Sequence, residues 1–345
     1  MSKYLITLTP TERFFFGGDI TFSYSDQKSE YDSYIIRSNR FPQQTSLLGM
    51  LRFLILRNDK NAFDESKQEI KDRKQASDLI GAKSFRIGEH NDFGVIKSIS
   101  PCFIQLKDNG EWTNMDIIPF DESLSVDYSQ NTSVTLNGLA FEIPSMEYNP
   151  KEGIKRRFKY ANSKYKNVED IFEEDLRNGI DRDIKTGKTE DAALFKQISY
   201  RFKEECRFAF EADVERVELK QYSGQVVSVG GDSSQFIIEI FDISNHEATK
   251  TTKGGSVVLL SPSYIEDISS VRFAITETIT FKCMKTETEK INSYNKKNEV
   301  YDYSKKVSLY DAGSVFYCKE VDAFIKEIKK HSDFRQIGYN HFIVK

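Results

Sequence analysis

Tyr4, Ile6 and Leu8 alternate with Lys3, Leu5 and Thr7 ahead of Pro10, a period of two that predicts an opening strand. The aromatic run Phe14-Phe15-Phe16 then enters a Gly17-Gly18 turn. After a polar loop over 23–34, Leu47, Leu48, Met50, Leu51, Leu54 and Ile55 recur at helical spacing, and Thr45 or Ser46 is the expected cap of that buried helix. A second, exposed helix is expected over 64–80, closed by Gly81. A third is expected over 168–178, capped by Asn167 and stopped by Gly179, and a fourth over 319–331. Strand patterns dominate elsewhere. The clearest covers 206–214, where Cys206, Phe208, Phe210, Ala212 and Val214 face one way and Arg207, Glu211 and Asp213 the other. Further strands are expected over 235–242, 256–260, 270–284 and 314–318. Strands and helices without strict βαβ alternation predict an α+β fold, and strand–helix–strand openings of this kind suit ferredoxin-like (RRM-like) units. The expected organisation is two such units packed side by side with inserted loops and hairpins, 1–155 and 156–345, divided near 150–165.

With 345 residues, 39% of them apolar and 26 of them Phe, the chain has ample material for a core and does not resemble a disordered polymer. No stretch approaches the roughly 18 apolar residues of a membrane span, and the first residues lack a signal-peptide pattern, so a cytoplasmic location is expected. The four cysteines, Cys102, Cys206, Cys283 and Cys318, have no paired spacing and read as reduced thiols, with no metal site. A net charge of −4 argues against a free-standing, non-specific nucleic-acid binder. The charges are nevertheless segregated. Residues 33–57 hold Arg37, Arg40, Arg52 and Arg57 without an acid; 108–150 carry eight acids without a base; 151–166 hold seven Lys or Arg against Glu152 alone. Blocks of this kind are solvated faces, or they suit a subunit with one anionic ligand and one protein neighbour.

Several motifs lack the context their chemistry requires. Thr186-Gly187-Lys188-Thr189 resembles the end of a P-loop, but Arg182 stands where the first Gly is needed. Gly-Gly-Asp at 17–19 and 230–232 lacks the further carboxylates of two-metal chemistry. Asp92-Phe93-Gly94 lacks a kinase catalytic loop. His90, His246, His331 and His341 lie far apart, with neither ligand spacing nor a nucleophile beside them. No catalytic residue and no cofactor is therefore expected.

Other segments fit together. The opening strand, Arg13-Phe14-Phe15-Phe16-Gly17-Gly18, the Arg37 to Arg40 approach and Phe41-Pro42-Gln43-Gln44-Thr45 leading into Gly49-Met50-Leu51-Arg52 resemble the start of the RAMP (repeat-associated mysterious protein) superfamily. More narrowly, they are similar to the family of the third subunit of the type III-B CRISPR Cmr effector complex. Phe85-Arg86-Ile87-Gly88, Ile118-Pro119-Phe120-Asp121, Gly179-Ile180-Asp181-Arg182 through Arg201-Phe202, Gly230-Gly231-Asp232, Ala312-Gly313-Ser314 and Ile337-Gly338-Tyr339-Asn340 follow in that family's order, so the likeness spans about 10–340. The chain departs from the family pattern at Phe195 for Tyr, Asp232 for Glu, and Tyr339-Asn340 where a second Gly often stands.

The resemblance implies a non-catalytic ribonucleoprotein subunit for antiviral defence. It would anchor the 5′ handle of the crRNA, dock on the large polymerase/cyclase subunit and on the backbone RAMP subunit, and meet target RNA only indirectly. An unpaired handle is held through phosphates, 2′-hydroxyls and splayed bases. Arg13, Arg37, Arg40 and Arg52 are the candidate guanidinium contacts. Gln44, Thr45 and Ser46 are candidates at a helix N-terminus, and Arg182, Lys185 and Lys188 form a candidate finger. Gly17, Gly18, Gly230, Gly231 and Gly338 are turns that admit close backbone approach. Each has a structural alternative: Arg52 as partner to an acid, the phenylalanines as core, the glycines as tight turns. Rival functions are a RAMP endoribonuclease acting on crRNA precursor, the handle-binding subunit of a type III-A or III-D complex, and an RNA-free scaffold.

Overall fold

The structure, a computed structural model, describes residues 2–24, 31–136, 139–147, 149, 151, 153–161, 163–182, 189–243, 254–288 and 302–345. The protein is α+β and strand-rich, as the pattern predicts. It forms two compact units, each threaded from three stretches of chain. The first comprises 1–97, 169–243 and 282–304, and the second comprises 98–168, 244–281 and 305–345. Neither coincides with a single stretch such as 1–155 or 156–345, because the chain crosses between units five times. No helix among the described residues is long and apolar enough to cross a membrane.

In the first unit, β1 (Ser2–Pro10) lies between antiparallel neighbours Cys206–Val214 and Gln235–Asp242. Glu215 N–H donates to the Val95 carbonyl at 2.9 Å, so the chain near Val95 runs along the far edge of 206–214. Counted in chain order, these four strands run fourth, first, third, second, and Val226–Ser228 pairs along the outer edge of 235–242. The alternation read at 206–214 is present, but Arg207 is buried as well. It pairs with Glu239 at 2.7 Å and stacks over Phe241, and burial lowers its pKa against the pull of Glu239. α1 (Gln44–Asn58) buries Leu47, Leu48, Leu51, Leu54 and Ile55, as its spacing requires.

Phe14 is the hub of this unit's core. Its ring centroid lies 5.0 to 6.4 Å from those of Phe16, Phe172, Phe202, Phe208 and Phe236. The aromatic run is thus core at Phe14 and Phe16, while Phe15 is half-buried.

Two expected helices are corrected. Over 64–80 only α2 (Arg73–Ile80) is helical; Phe63–Asp64 and Glu69–Ile70 pair as a small hairpin. The Asp64 carboxylate accepts from the Ser66 and Lys67 amides and Gln68 adopts φ +55°, so a local turn replaces the first helical turns. The helix expected over 168–178 is a single turn, Val168–Ile171, followed by the strand Phe172–Arg182. That strand pairs with Thr189–Phe202, and Glu173 faces Arg201 across the pair at 2.8 Å. The cross-strand partners override the helix propensity of Glu173, Glu174 and Leu176. Gly179, read as a stop, lies opposite Phe195, whose ring would sit 2.0 Å from any Cβ there.

In the second unit, Ser256–Leu259, Val271–Ile275, Val315–Cys318 and Phe342–Val344 again form an all-antiparallel sheet in the order fourth, first, third, second. The helix Val321–Lys329 buries Phe324 and Ile328 against Val257, Leu259 and Phe316. Phe103–Asp108, Glu111–Ile117, Arg157–Tyr160 and Lys164–Asn167 pair antiparallel in that order. Asn340, at the departure from a double-Gly turn, is fully buried with φ +56°. Its amide accepts from Tyr264 N–H at 2.8 Å and donates to the Tyr264 and Ile328 carbonyls at 3.0 and 2.9 Å. It clamps the turn against two other segments while tolerating the left-handed backbone.

Asn340→Gly preserves the backbone freedom but loses three buried hydrogen bonds, so urea denaturation should show a loss of about 2–3 kcal/mol. Phe14→Ala empties the centre of five rings and should cost about 3–5 kcal/mol by the same measurement.

Candidate nucleic-acid interface

Three backbone features of the first unit meet at one cavity of about 560 Å³: the Gly17-Gly18 turn, the N-terminus of α1, and Gly230. The aromatic core positions the first. Phe14 and Phe16 are buried, and the chain leaves them through Gly17, at φ +74°, and Gly18. A Cβ on Gly18 would lie 1.8 Å from the Arg37 carbonyl oxygen, so only glycine lets the turn lie against the end of β3 (Tyr31–Arg37). Asn39 N–H donates to the Gly17 carbonyl at 2.6 Å, and Phe16 N–H donates to Ser38 Oγ at 2.8 Å. Gly230, at φ +84°, is held as closely, since a Cβ there would lie 2.6 Å from the Phe15 carbonyl oxygen.

α1 begins earlier than expected. Its cap is Gln43, not Thr45 or Ser46, because the Gln43 carbonyl already accepts the Ser46 and Leu47 amides at 2.8 and 3.2 Å. The Gln43 side chain takes up none of the first-turn N–H groups, and the first turn carries no acid. Thr45 and Ser46 fall inside that turn and line the cavity. A helix N-terminus of this kind favours an anion.

The cavity is also cationic. Among the described residues that line it, Arg52, Lys83 and Lys282 carry positive charge and none is Asp, Glu or His. Lys83 and Lys282 are exposed, and the Lys282 ammonium stands 4.1 Å from the ring centre of Tyr303, which also lines the cavity. Arg52 is buried; it donates to the Lys83 and Asp92 carbonyls at 3.0 and 2.8 Å and lies over Phe93. It therefore ties α1 to the 81–94 loop. Both of these partners are main-chain carbonyls.

Of the residues singled out from sequence, Gly17, Gly18, Thr45, Ser46, Arg52 and Gly230 share this cavity. Arg37 and Arg40 stand on the chain that Gly18 abuts and converge on Tyr200. The Arg40 guanidinium lies over the Tyr200 ring at 5.5 Å. The exposed Arg37 guanidinium bonds to the Tyr200 hydroxyl and Glu174, which raise its pKa. Gly231 begins the 3₁₀ turn after Gly230, where Asp232 accepts from Gln197. Gln44 is buried, and Arg13 is half-buried with Glu12 at 3.6 Å. Gly338, at φ +88°, belongs to the second unit, after the helical turn Ser332–Gln336. Arg182 ends the Phe172–Arg182 strand, while Lys185 and Lys188 lie outside the described residues.

Lys83, Lys282 and Tyr303 escaped the sequence reading. Lys282 falls at the end of the strand expected over 270–284 and Tyr303 in a stretch without periodicity, and residues 286–288 reach the cavity by pairing with 82–84. Ser84 N–H donates to the Thr286 carbonyl at 3.0 Å and Thr288 N–H to the Ala82 carbonyl at 2.8 Å.

A family model for CRISPR-associated protein (Cas_Cmr3) matches residues 139–344. Among solved structures, the fold is similar to a chain of the cryo-EM structure of the type III-B Cmr-beta bound to cognate target RNA, with TM-score 0.52 and 16% identity over 99% of this chain and 96% of that one. A chain of the same assembly bound to cognate target RNA and AMPPnP matches with TM-score 0.52 and 14% identity, covering 99% and 95%. At such identities the likeness is one of fold. No curated protein matches the chain in sequence.

Arg52→Lys removes the two-carbonyl fork while keeping the charge. It should lower stability by about 1–3 kcal/mol in a denaturant titration, because one ammonium cannot reach both the Lys83 and Asp92 carbonyls as a planar fork does.

Proposed function

The chain belongs to the Cmr3 family of CRISPR-associated proteins, and on that premise we propose that it is the subunit of a type III-B effector complex that anchors the 5′ handle of the crRNA. The observation that carries this reading is the glycine-walled cavity of the first unit, whose described lining holds three cations and no acid, Lys83 pairing with Glu89 outside it at 3.7 Å, in a protein whose net charge is −4. Phosphates would sit at Lys83, Lys282 and the α1 N-terminus, and Tyr303 offers a ring on which an unpaired base stacks. Gly18 and Gly230 bring main chain close to the strand. Arg37 and Arg40 extend the basic track from the same turn. The chain would leave the reading of target sequence to guide pairing.

This function is non-catalytic. Anchoring asks the cavity to bind and hold the RNA, not to cleave it. We also read both units as ferredoxin-like (RRM-like). Each has an all-antiparallel sheet in the order fourth, first, third, second. The first keeps the helix after its first strand, and the second keeps the helix after its third. For docking on the large polymerase/cyclase subunit and the backbone RAMP subunit, Ile20 and Phe22 on the strand β2 (Ile20–Tyr24) are 50% and 44% exposed, an apolar edge fit for a protein neighbour.

The test is reconstitution with guide RNA. The double variant Lys83→Glu/Lys282→Glu should fold normally, weaken handle binding at least about tenfold, and flatten the dependence of log affinity on log salt by about 1.4. Unchanged affinity and slope, or equal protection of the guide 5′ end when this chain is omitted, would overturn the anchoring role. Cleavage of precursor RNA by the chain alone would favour the endoribonuclease.

A further inference from the structure

The basic block 151–166 plays no part in the cavity just described. It forms the strands Arg157–Tyr160 and Lys164–Asn167 of the second unit, beside Glu111–Ile117. Cross-strand partners in an antiparallel sheet share a face. Lys159 is paired with Asp116 on one side and Tyr165 on the other, and Trp112 with Lys107. The intervening positions Ile104, Met115 and Phe158 are buried and point to the opposite face. The core thus accounts for one face and leaves the other with Trp112, Tyr165 and lysines.

On that second face is a pocket of about 550 Å³ lined by Trp112, Asn114, Asp116, Lys159, Tyr160 and Ser163. Lys107 lies over the Trp112 ring at 5.9 Å. Tyr165 is 55% exposed. Aromatic rings on an open sheet, with ammonium groups one strand away, offer stacking to unpaired bases and charge to their phosphates. Asn114 and Asp116 between them present donors and acceptors suited to a base edge or a 2′-hydroxyl.

We propose that this face is a second single-stranded RNA site, separate from the cavity of the first unit. It would stack two or three unpaired bases on Trp112 and Tyr165 and hold their phosphates at Lys159 and Lys107.

Trp112 is the single tryptophan of the chain, so its emission reports this site directly. The experiment titrates full-length Lys83→Glu/Lys282→Glu protein, which disables the first cavity, with an oligouridylate on the order of ten nucleotides. Saturable quenching of Trp112 is expected. Tyr165→Ala should weaken binding at least about fivefold and Lys159→Glu about tenfold, with a salt slope lower by about 0.7. Trp112→Phe should abolish the signal yet retain binding by fluorescence anisotropy. Tyr165 is exposed, so its variant tests the site even if Lys159→Glu fails to fold. Absence of quenching, equal quenching by duplex RNA, or quenching by uridine monophosphate with the oligomer's affinity would each overturn the assignment, the last in favour of a free-nucleotide pocket. Because the first cavity is already disabled, these outcomes are independent of the handle-anchoring reading.

Discussion

The first unit depends on the packing of phenylalanine rings around Phe14. Rings from β1's exit, from the 172–202 hairpin and from the strands 206–214 and 235–242 meet there. Aromatic contacts are specific in distance and angle as well as favourable in area, so they fix where the backbone leaves the core. The chain leaves at Gly17-Gly18, the turn that forms one wall of the cationic cavity. Ser38 and Asn39 then lock the turn to the end of β3. Position and chemistry are therefore supplied by different residues: buried rings determine where the turn lies, and lysines, hydroxyls and helix amides determine what it attracts.

The same strand order appears twice with different supporting helices. α1 in the first unit packs an almost wholly apolar face and presents its N-terminus to the cavity. In the second unit the helix Val321–Lys329 takes the other position, while Asn340 closes the turn before the last strand. Identical sheet topology leaves each unit free to dispense with one covering helix and to expose a different surface.

Much of the core was legible because periodicity is a local property. β1, the 206–214 strand, α1 and the C-terminal helix follow from the spacing of Ile6, Phe208, Leu51 and Phe324. Residues 172–182 misled for the opposite reason: Glu173, Glu174 and Leu176 favour a helix locally, and the partner strand that overrides them lies up to 30 residues later. The family resemblance gathered Gly18, Ser46 and Gly230, and the structure brings them to one cavity. It passed over Lys83 and Lys282, whose proximity arises from a segment that returns across some 200 residues. Spacing along the chain carries no trace of such a return.

That return bears on synthesis. The cavity wall formed by Lys282 and Tyr303 is among the last parts of the first unit to leave the ribosome, although the opposite wall, Gly17-Gly18, is among the first. Contacts of such sequence separation form late and slowly, and a nascent chain lacking them holds its N-terminal sheet without a completed ligand cavity. A chain that ends before residue 282 lacks that wall, so the cavity is complete only once nearly all of the first unit's sequence has been made.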